Sequence, residues 1–153
     1  MKLIRAGKEN AEQIWKMQIE AFSELLERYR DYDTNPGNEP VERIAAKLSQ
    51  PYTYFYSIVV DDETVGAIRV VDPKDGSRKR IAPLFVLKQY RNKGYAQLAM
   101  QEAERIHGKD NWKLDTILQE AGNCHLYEKM GYRRTGVLEP INEKMTLVYH
   151  EKD

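Results

Sequence analysis

The chain has 153 residues, with 24 basic and 24 acidic side chains and a formal net charge of zero. That length suits a single domain, residues 1–153, with a core large enough to need neither disulfide nor structural metal. Zero net charge supplies no field to draw in nucleic acid or an anionic membrane, and the single cysteine, Cys124, excludes an internal disulfide.

Lys2 to Ala6 reads as a first strand. Asn10, with Gln13 three residues later, has the spacing of a capping box. The helix it opens carries Ile14, Met17, Ala21 and Leu25 on one face, until Asp33-Thr34-Asn35-Pro36-Gly37-Asn38 breaks it. A second helix turns Val41, Ile44, Ala45 and Leu48 inward and ends at Gln50-Pro51. Tyr52–Val60 and Thr64–Val71, rich in β-branched and aromatic residues, form a hairpin about Asp61-Asp62-Glu63. Pro73-Lys74-Asp75-Gly76 is a turn, so the basic run Ser77-Arg78-Lys79-Arg80 is expected at a solvated tip.

Arg80 to Leu87 is a further strand, and a helix runs from Gly94 to His107 with Leu98, Ala99, Ala103 and Ile106 as its apolar stripe. Trp112 to Leu118 is a strand, and Ala121 to Met130 a short helix stopped by Gly131. Tyr132–Val137 and Met145–His150 close the chain as a strand pair around Pro140. The order β-α-α-β-β-β-α-β-α-β-β predicts an α/β fold, a mixed twisted sheet with helices on both faces.

The most informative segment is Arg91-Asn92-Lys93-Gly94-Tyr95-Ala96, a short basic turn between a strand and a helix. First-turn amides have no intrahelical partners and lie at the positive end of the helix dipole, a ready phosphate site. Gly94 permits close backbone approach, Ala96 leaves room, and Arg91 and Lys93 add charge to the rim. The second distinctive segment is Asn123-Cys124-His125-Leu126-Tyr127-Glu128-Lys129-Met130-Gly131-Tyr132, after the fifth strand.

These two segments, in this order and with this strand between them, resemble the GNAT superfamily of N-acetyltransferases, whose element order the whole chain shares. The first resembles that family's Arg/Gln-x-x-Gly-x-Gly/Ala pyrophosphate loop, and the second its Leu-Tyr-Glu-Lys-x-Gly-Phe/Tyr run. The resemblance implies the GNAT fold, acetyl-CoA as cosubstrate and acetyl transfer to a primary amine of a small molecule or peptide in a ternary complex. It implies that Tyr127 presents its hydroxyl to the acetyl-CoA sulfur and that Asn123, one helical turn earlier, bonds the pantetheine arm. It implies that Phe85, Val86 and Leu87 offer backbone amides to the thioester and pantetheine, with Arg91 to Ala96 cradling the pyrophosphate. Three residues depart from the family pattern: Lys88 for a common Pro, Asn92 for a common Gly, and Glu120 where many members carry Asn.

Acetyl transfer requires a neutral amine, a polarised thioester carbonyl and a departing thiolate. Neutralising a lysine-like amine at pH 7 costs about 4.6 kcal/mol, which a base can share. Glu120, at the end of the fifth strand, is the expected base. Proton transfer from an ordinary tyrosine to the thiolate is uphill by about 2 kcal/mol, so Tyr127 is expected to donate a strong hydrogen bond. His125 should face away from Tyr127, and His107 and His150 show no partner spacing. The acidic, aromatic stretch Glu20, Glu24, Glu27, Tyr29, Asp31, Tyr32 and Asp33 falls where the family builds its acceptor pocket and favours a cationic amine.

The alternative is a CoA-binding sensor module of the same fold without turnover, for which Tyr127 would be superfluous. The motifs Gly-x-x-x-x-Gly-Lys-Ser/Thr, Gly-x-Gly-x-x-Gly and Gly-x-Ser-x-Gly and metal-ligand spacing are all lacking, so no metal is expected. Met1-Lys2-Leu3-Ile4-Arg5 meets charge too soon for a signal peptide, and no apolar run approaches the roughly 20 residues of a bilayer span. A soluble cytoplasmic protein is expected, binding neither nucleic acid nor membrane, with a homodimer permitted.

Overall fold

The computed structural model describes every residue, Met1–Asp153. In chain order it contains β1 (Lys2–Arg5), α1 (Ala11–Tyr29), α2 (Val41–Leu48), β2 (Thr53–Val60), β3 (Glu63–Val71) and β4 (Lys79–Val86). There follow α3 (Tyr95–His107), β5 (Trp112–Ile117), α4 (Ala121–Lys129), β6 (Arg133–Asn142) and β7 (Met145–Lys152). All seven strands share one sheet, ordered β1-β2-β3-β4-β5-β7-β6. Every neighbouring pair is antiparallel except β4 and β5. No helix is long and apolar enough to cross a membrane.

Both faces of the central strands are covered, which is why β2 and β3 read as nearly continuous apolar runs. On one face Ile14, Met17 and Ala21 of α1 and Ile44 of α2 pack against Phe55, Ala67 and Phe85. On the other, Ala99, Met100 and Ala103 of α3 pack against Ile58, Ile68, Val70 and Trp112, with Tyr127 of α4 and Met130 just after it alongside. Gly66 is required where β3 meets β4: a Cβ there would lie 2.0 Å from the Phe85 carbonyl oxygen.

Several local expectations change in the folded chain. Asn10 forms no capping box with Gln13; a 3-10 turn over Lys8–Asn10 precedes α1, and the Asn10 side chain accepts from the Gly7 N–H at 3.0 Å. Leu98 and Ile106 are exposed, and Met100 and Glu104 complete the inner face of α3 instead. The run after Ser77 is no free tip. Arg78 donates to the carbonyls of Trp112 and Lys152, Lys79 lies over the Trp112 ring, and Arg80 pairs with Asp115 at 3.1 Å. β6 continues through Pro140, as an edge strand allows.

The feature that makes a site is a failure of pairing. β4 and β5 are joined only at Lys79–Trp112 and Arg80–Lys113, then separate. Just beyond, Ala82 and Pro83 of β4 stand together opposite Arg69 of β3, between the Ile68–Leu84 and Val70–Ile81 pairs. A bulge bends the strand that carries it, and proline has no N–H to contribute to a ladder.

Candidate active site

The gap between β4 and β5 opens into two adjoining clefts. The first, of about 490 Å³, lies between the end of β4, the loop into α3, and α4. Phe85, Val86, Arg91, Asn92, Gly94, Tyr95, Ala96 and Asn123 all border it; Leu87 and Lys93 do not. Leu87 is buried, and its N–H donates to the Val65 carbonyl at 2.8 Å, so this amide serves the β3–β4 ladder rather than a ligand. Strand amides alternate in direction, so Val86 N–H turns away from β3 toward the gap.

The loop is built as its sequence suggests, with one reassignment. The first helical bond of α3 runs from Leu98 N–H to the Gly94 carbonyl, leaving the amides of Tyr95, Ala96 and Gln97 without helical partners. Gly94 (φ +80°) and Asn92 (φ +64°) are both left-handed, which explains why asparagine serves in place of glycine at 92. Arg91 does not decorate the rim. Its Nε donates to the Val86 carbonyl and its Nη2 to the Ala21 carbonyl, both at 2.8 Å, tying the loop to β4 and α1. Lys93 is exposed.

The second cleft, of about 410 Å³, lies on the α1–α2 face, over β4, β5 and β7. Tyr127 and Asn123 border both clefts. Tyr127 is half-buried, its ring meeting Tyr132 and His150 edge-on at 6.3 and 6.2 Å between centroids. Its hydroxyl makes no hydrogen bond within the protein. Burial pushes its pKa up to about 12, and the Asp115 carboxylate adds to the effect. His150 beneath it is fully buried, without a partner on either ring nitrogen, and burial holds its pKa below the usual histidine value.

Glu120 does not reach the second cleft. At the N-terminal boundary of α4 it borders the first cleft, where Oε2 accepts from Arg28 Nη1 at 2.7 Å and from Tyr29 Oη at 2.5 Å. A carboxylate so engaged ties α1 to α4 and borders the same cleft as Tyr127. The carboxylate that borders the second cleft beside Tyr127 is Asp115, on β5, which the alternating strand pattern gave no reason to single out.

The acidic stretch of α1 also disperses. Glu20, Glu27, Tyr32 and Asp33 are exposed, Glu24 pairs with Lys88 at 2.6 Å, and Tyr29 serves Glu120. Only Asp31 borders the second cleft, and there it accepts from the amides of Asp33 and Thr34 and from the Thr34 hydroxyl. His125 is exposed, as its helical position requires. His107, by contrast, has partners no local spacing could reveal: Asp72 at 3.0 Å and Tyr56 Oη at 2.8 Å.

A left-handed glycine turn with open first-turn amides, a split parallel strand pair and an unpartnered tyrosine between two clefts define a recognisable arrangement. The model of the Acetyltransferase (GNAT) family matches residues 12–132. The chain belongs to the GNAT acetyltransferase family. No curated protein matches the sequence. Among solved structures, the GNAT chain is similar to the spermidine N-acetyltransferase of Vibrio cholerae in complex with CoA and spermine. The TM-score is 0.75 at 12% identity, over 97% of this chain and 92% of that one. It is similar to an aminoglycoside 6'-acetyltransferase type Ii, with a TM-score of 0.71 at 21% identity over 99% and 97% of the two chains. It is also similar to the PaiA N-acetyltransferase of Thermoplasma acidophilum in complex with coenzyme A, with a TM-score of 0.66 at 16% identity over 99% and 98%. At these identities the likeness is one of fold.

Proposed function

We propose that the chain is an acetyl-CoA-dependent N-acetyltransferase in which a primary amine attacks the thioester directly, within a ternary complex. The observation that carries this reading is Tyr127, which borders both clefts and whose hydroxyl has no partner in the protein. A CoA-binding module without turnover has no use for a second cleft joined to the first at that hydroxyl. Two structural neighbours are named for amine acceptors, spermidine and an aminoglycoside, which supports an amine here.

In this reading the amides of Tyr95, Ala96 and Gln97 hold the pyrophosphate at the positive end of α3. The Val86 N–H bonds the thioester arm, and Asn123 the pantetheine. The amine enters from the second cleft, where Asp115, through water, takes a share of the ammonium proton. Tyr127 donates to the sulfur as the carbon–sulfur bond breaks. With its pKa near 12, full transfer to a thiolate of ordinary basicity is uphill by about 5 kcal/mol. Hydrogen-bond donation that strengthens as charge develops is therefore its contribution.

Thiol release from acetyl-CoA across polyamines, amino acids, aminoglycosides and peptides tests the reading, with Tyr127→Phe as the decisive variant. The variant retains the ring that packs on Tyr132 and His150, so its melting temperature and CoA affinity are expected to hold. Its kcat and kcat/KM are expected to fall together by about 10- to 1000-fold. An unchanged kcat in the folded variant removes Tyr127 from the chemistry. CoA binding without thiol release on any amine leaves the binding module.

A further inference from the structure

Each carboxylate bordering the second cleft has a close partner, a cation for two of them and a neutral donor for the other two. Glu39 pairs with Lys47 at 2.8 Å, Asp115 with Arg80 at 3.1 Å, Glu139 accepts from Tyr149 Oη at 2.5 Å, and Asp31 is held by its own loop. Arg69 makes no ion pair and no hydrogen bond to a carboxylate, and Glu39 is the one acid whose charge acts on it. Arg69 is 8% exposed, and its one hydrogen bond runs from Nη1 to the Ala82 carbonyl at 2.7 Å. Nε is buried with no partner, and Nη2 donates to nothing in the protein.

A guanidinium held away from water without an acid is costly, and apolar residues of similar volume commonly replace buried charges at no loss of stability. Burial draws the Arg69 pKa below its usual value, with nearby Arg80 acting in the same direction and the Glu39 carboxylate against it. The bulge explains how the side chain comes to be there. Ala82 and Pro83 widen β4 opposite Arg69, and the freed Ala82 carbonyl orients the guanidinium on the cleft wall.

From this unmatched cation at the wall of the acceptor cleft, we infer that the acceptor carries a carboxylate as well as its amine, and that Arg69 binds that carboxylate. The inference rests on the acetyltransferase reading and narrows its acceptor class from amines in general to amino acids and similar amino carboxylates. A planar guanidinium with an unused edge matches a planar carboxylate in a two-bond geometry that a lysine cannot reproduce. The cleft, at about 410 Å³, suits a molecule of that size.

The test uses the intact protein saturated with CoA, titrated calorimetrically with the common α-amino acids, each paired with its carboxamide, and with an aminoalkylphosphonate. The same pairs are then compared by acetyl-CoA thiol release. The expected result is preference for at least one free carboxylate over its amide, reduced about 10- to 100-fold in Arg69→Met and not restored in Arg69→Lys. A carboxylate-to-amide ratio that is the same in wild type and Arg69→Met overturns the inference, as does tighter binding of the phosphonate. Carboxylate-selective binding without thiol release supports the Arg69 site while the acetyltransferase reading fails. Release with amines regardless of a carboxyl group keeps that reading and removes this one. A melting temperature in Arg69→Met at or above wild type separates lost recognition from a lost fold.

Discussion

At the joined end of β4 and β5 charged side chains and carbonyls interlock, and at the parted end several polar groups are left open. Around Lys79–Trp112 the chain interlocks: Trp112 Nε1 donates to the Gly108 carbonyl at 2.8 Å, and Asn111 to the carbonyls of Gly76 and Ser77. Arg78 bridges Glu151 and Asp153, and His107 sits between Asp72 and Tyr56. Around Val86 and Tyr127, by contrast, first-turn amides, a strand amide and a phenol lack partners, and Arg69 Nε on the wall of the second cleft is buried without one. Unmade hydrogen bonds are costly in a folded protein, and ligands bound at the parted end would complete those left open there. The joined end stabilises the sheet against which the open end is held.

The comparison breaks most visibly at Gly94. Gly94→Val places a branched side chain at φ +80° beside the first-turn amides, and CoA affinity is expected to fall about 100-fold. No protein atom lies within 4 Å of a Cβ at that position, so the loss comes from backbone strain and the ligand rather than from the core. Asn92→Gly, also left-handed, is expected to bind within about threefold of wild type. Titration with CoA decides both, and an undiminished Gly94→Val would detach the loop from the site.

At the joined end the effect should appear in stability alone. His107→Ala leaves the Asp72 carboxylate and the Tyr56 hydroxyl short of a partner, at an expected cost of about 2 kcal/mol. For a domain of this size that lowers the melting temperature by about 4–8 °C. CoA titration of the variant should match wild type, and a parallel loss of affinity would show that the two ends are coupled.

The smallest effect sharpens the contrast by pH. Tyr127 keeps its proton up to about 12 in the folded chain, whereas an unfolded tyrosine ionises near 10. Between these values the unfolded state holds fewer protons, so stability falls as pH rises. This group accounts for about 1 kcal/mol by pH 11. Urea unfolding at pH 9 and pH 11 should show a smaller alkaline loss in Tyr127→Phe than in wild type. Equal losses would mean that the phenol is solvated in the folded protein.

Local pattern determined the element order, the glycine turn before α3 and the placement of Tyr127 after Asn123, because periodicity, turn residues and helix starts act over a few residues. The family loop was equally legible, since a glycine, a small residue and a helix N-terminus are contiguous in the chain. Tertiary structure decided what each charged side chain does. Glu120 was readable as a free carboxylate until α1 brought Arg28 and Tyr29 to it across 92 and 91 residues of sequence. Arg91 was readable as a phosphate ligand until the Ala21 carbonyl claimed it, and Leu87 as an amide donor until Val65 did. Arg69 and Asp115 carried no local signal, because a residue in a strand becomes part of a site only when its neighbouring strand bulges or leaves. Polar groups act through partners within about 3 Å, and in this fold those partners come from distant parts of the chain.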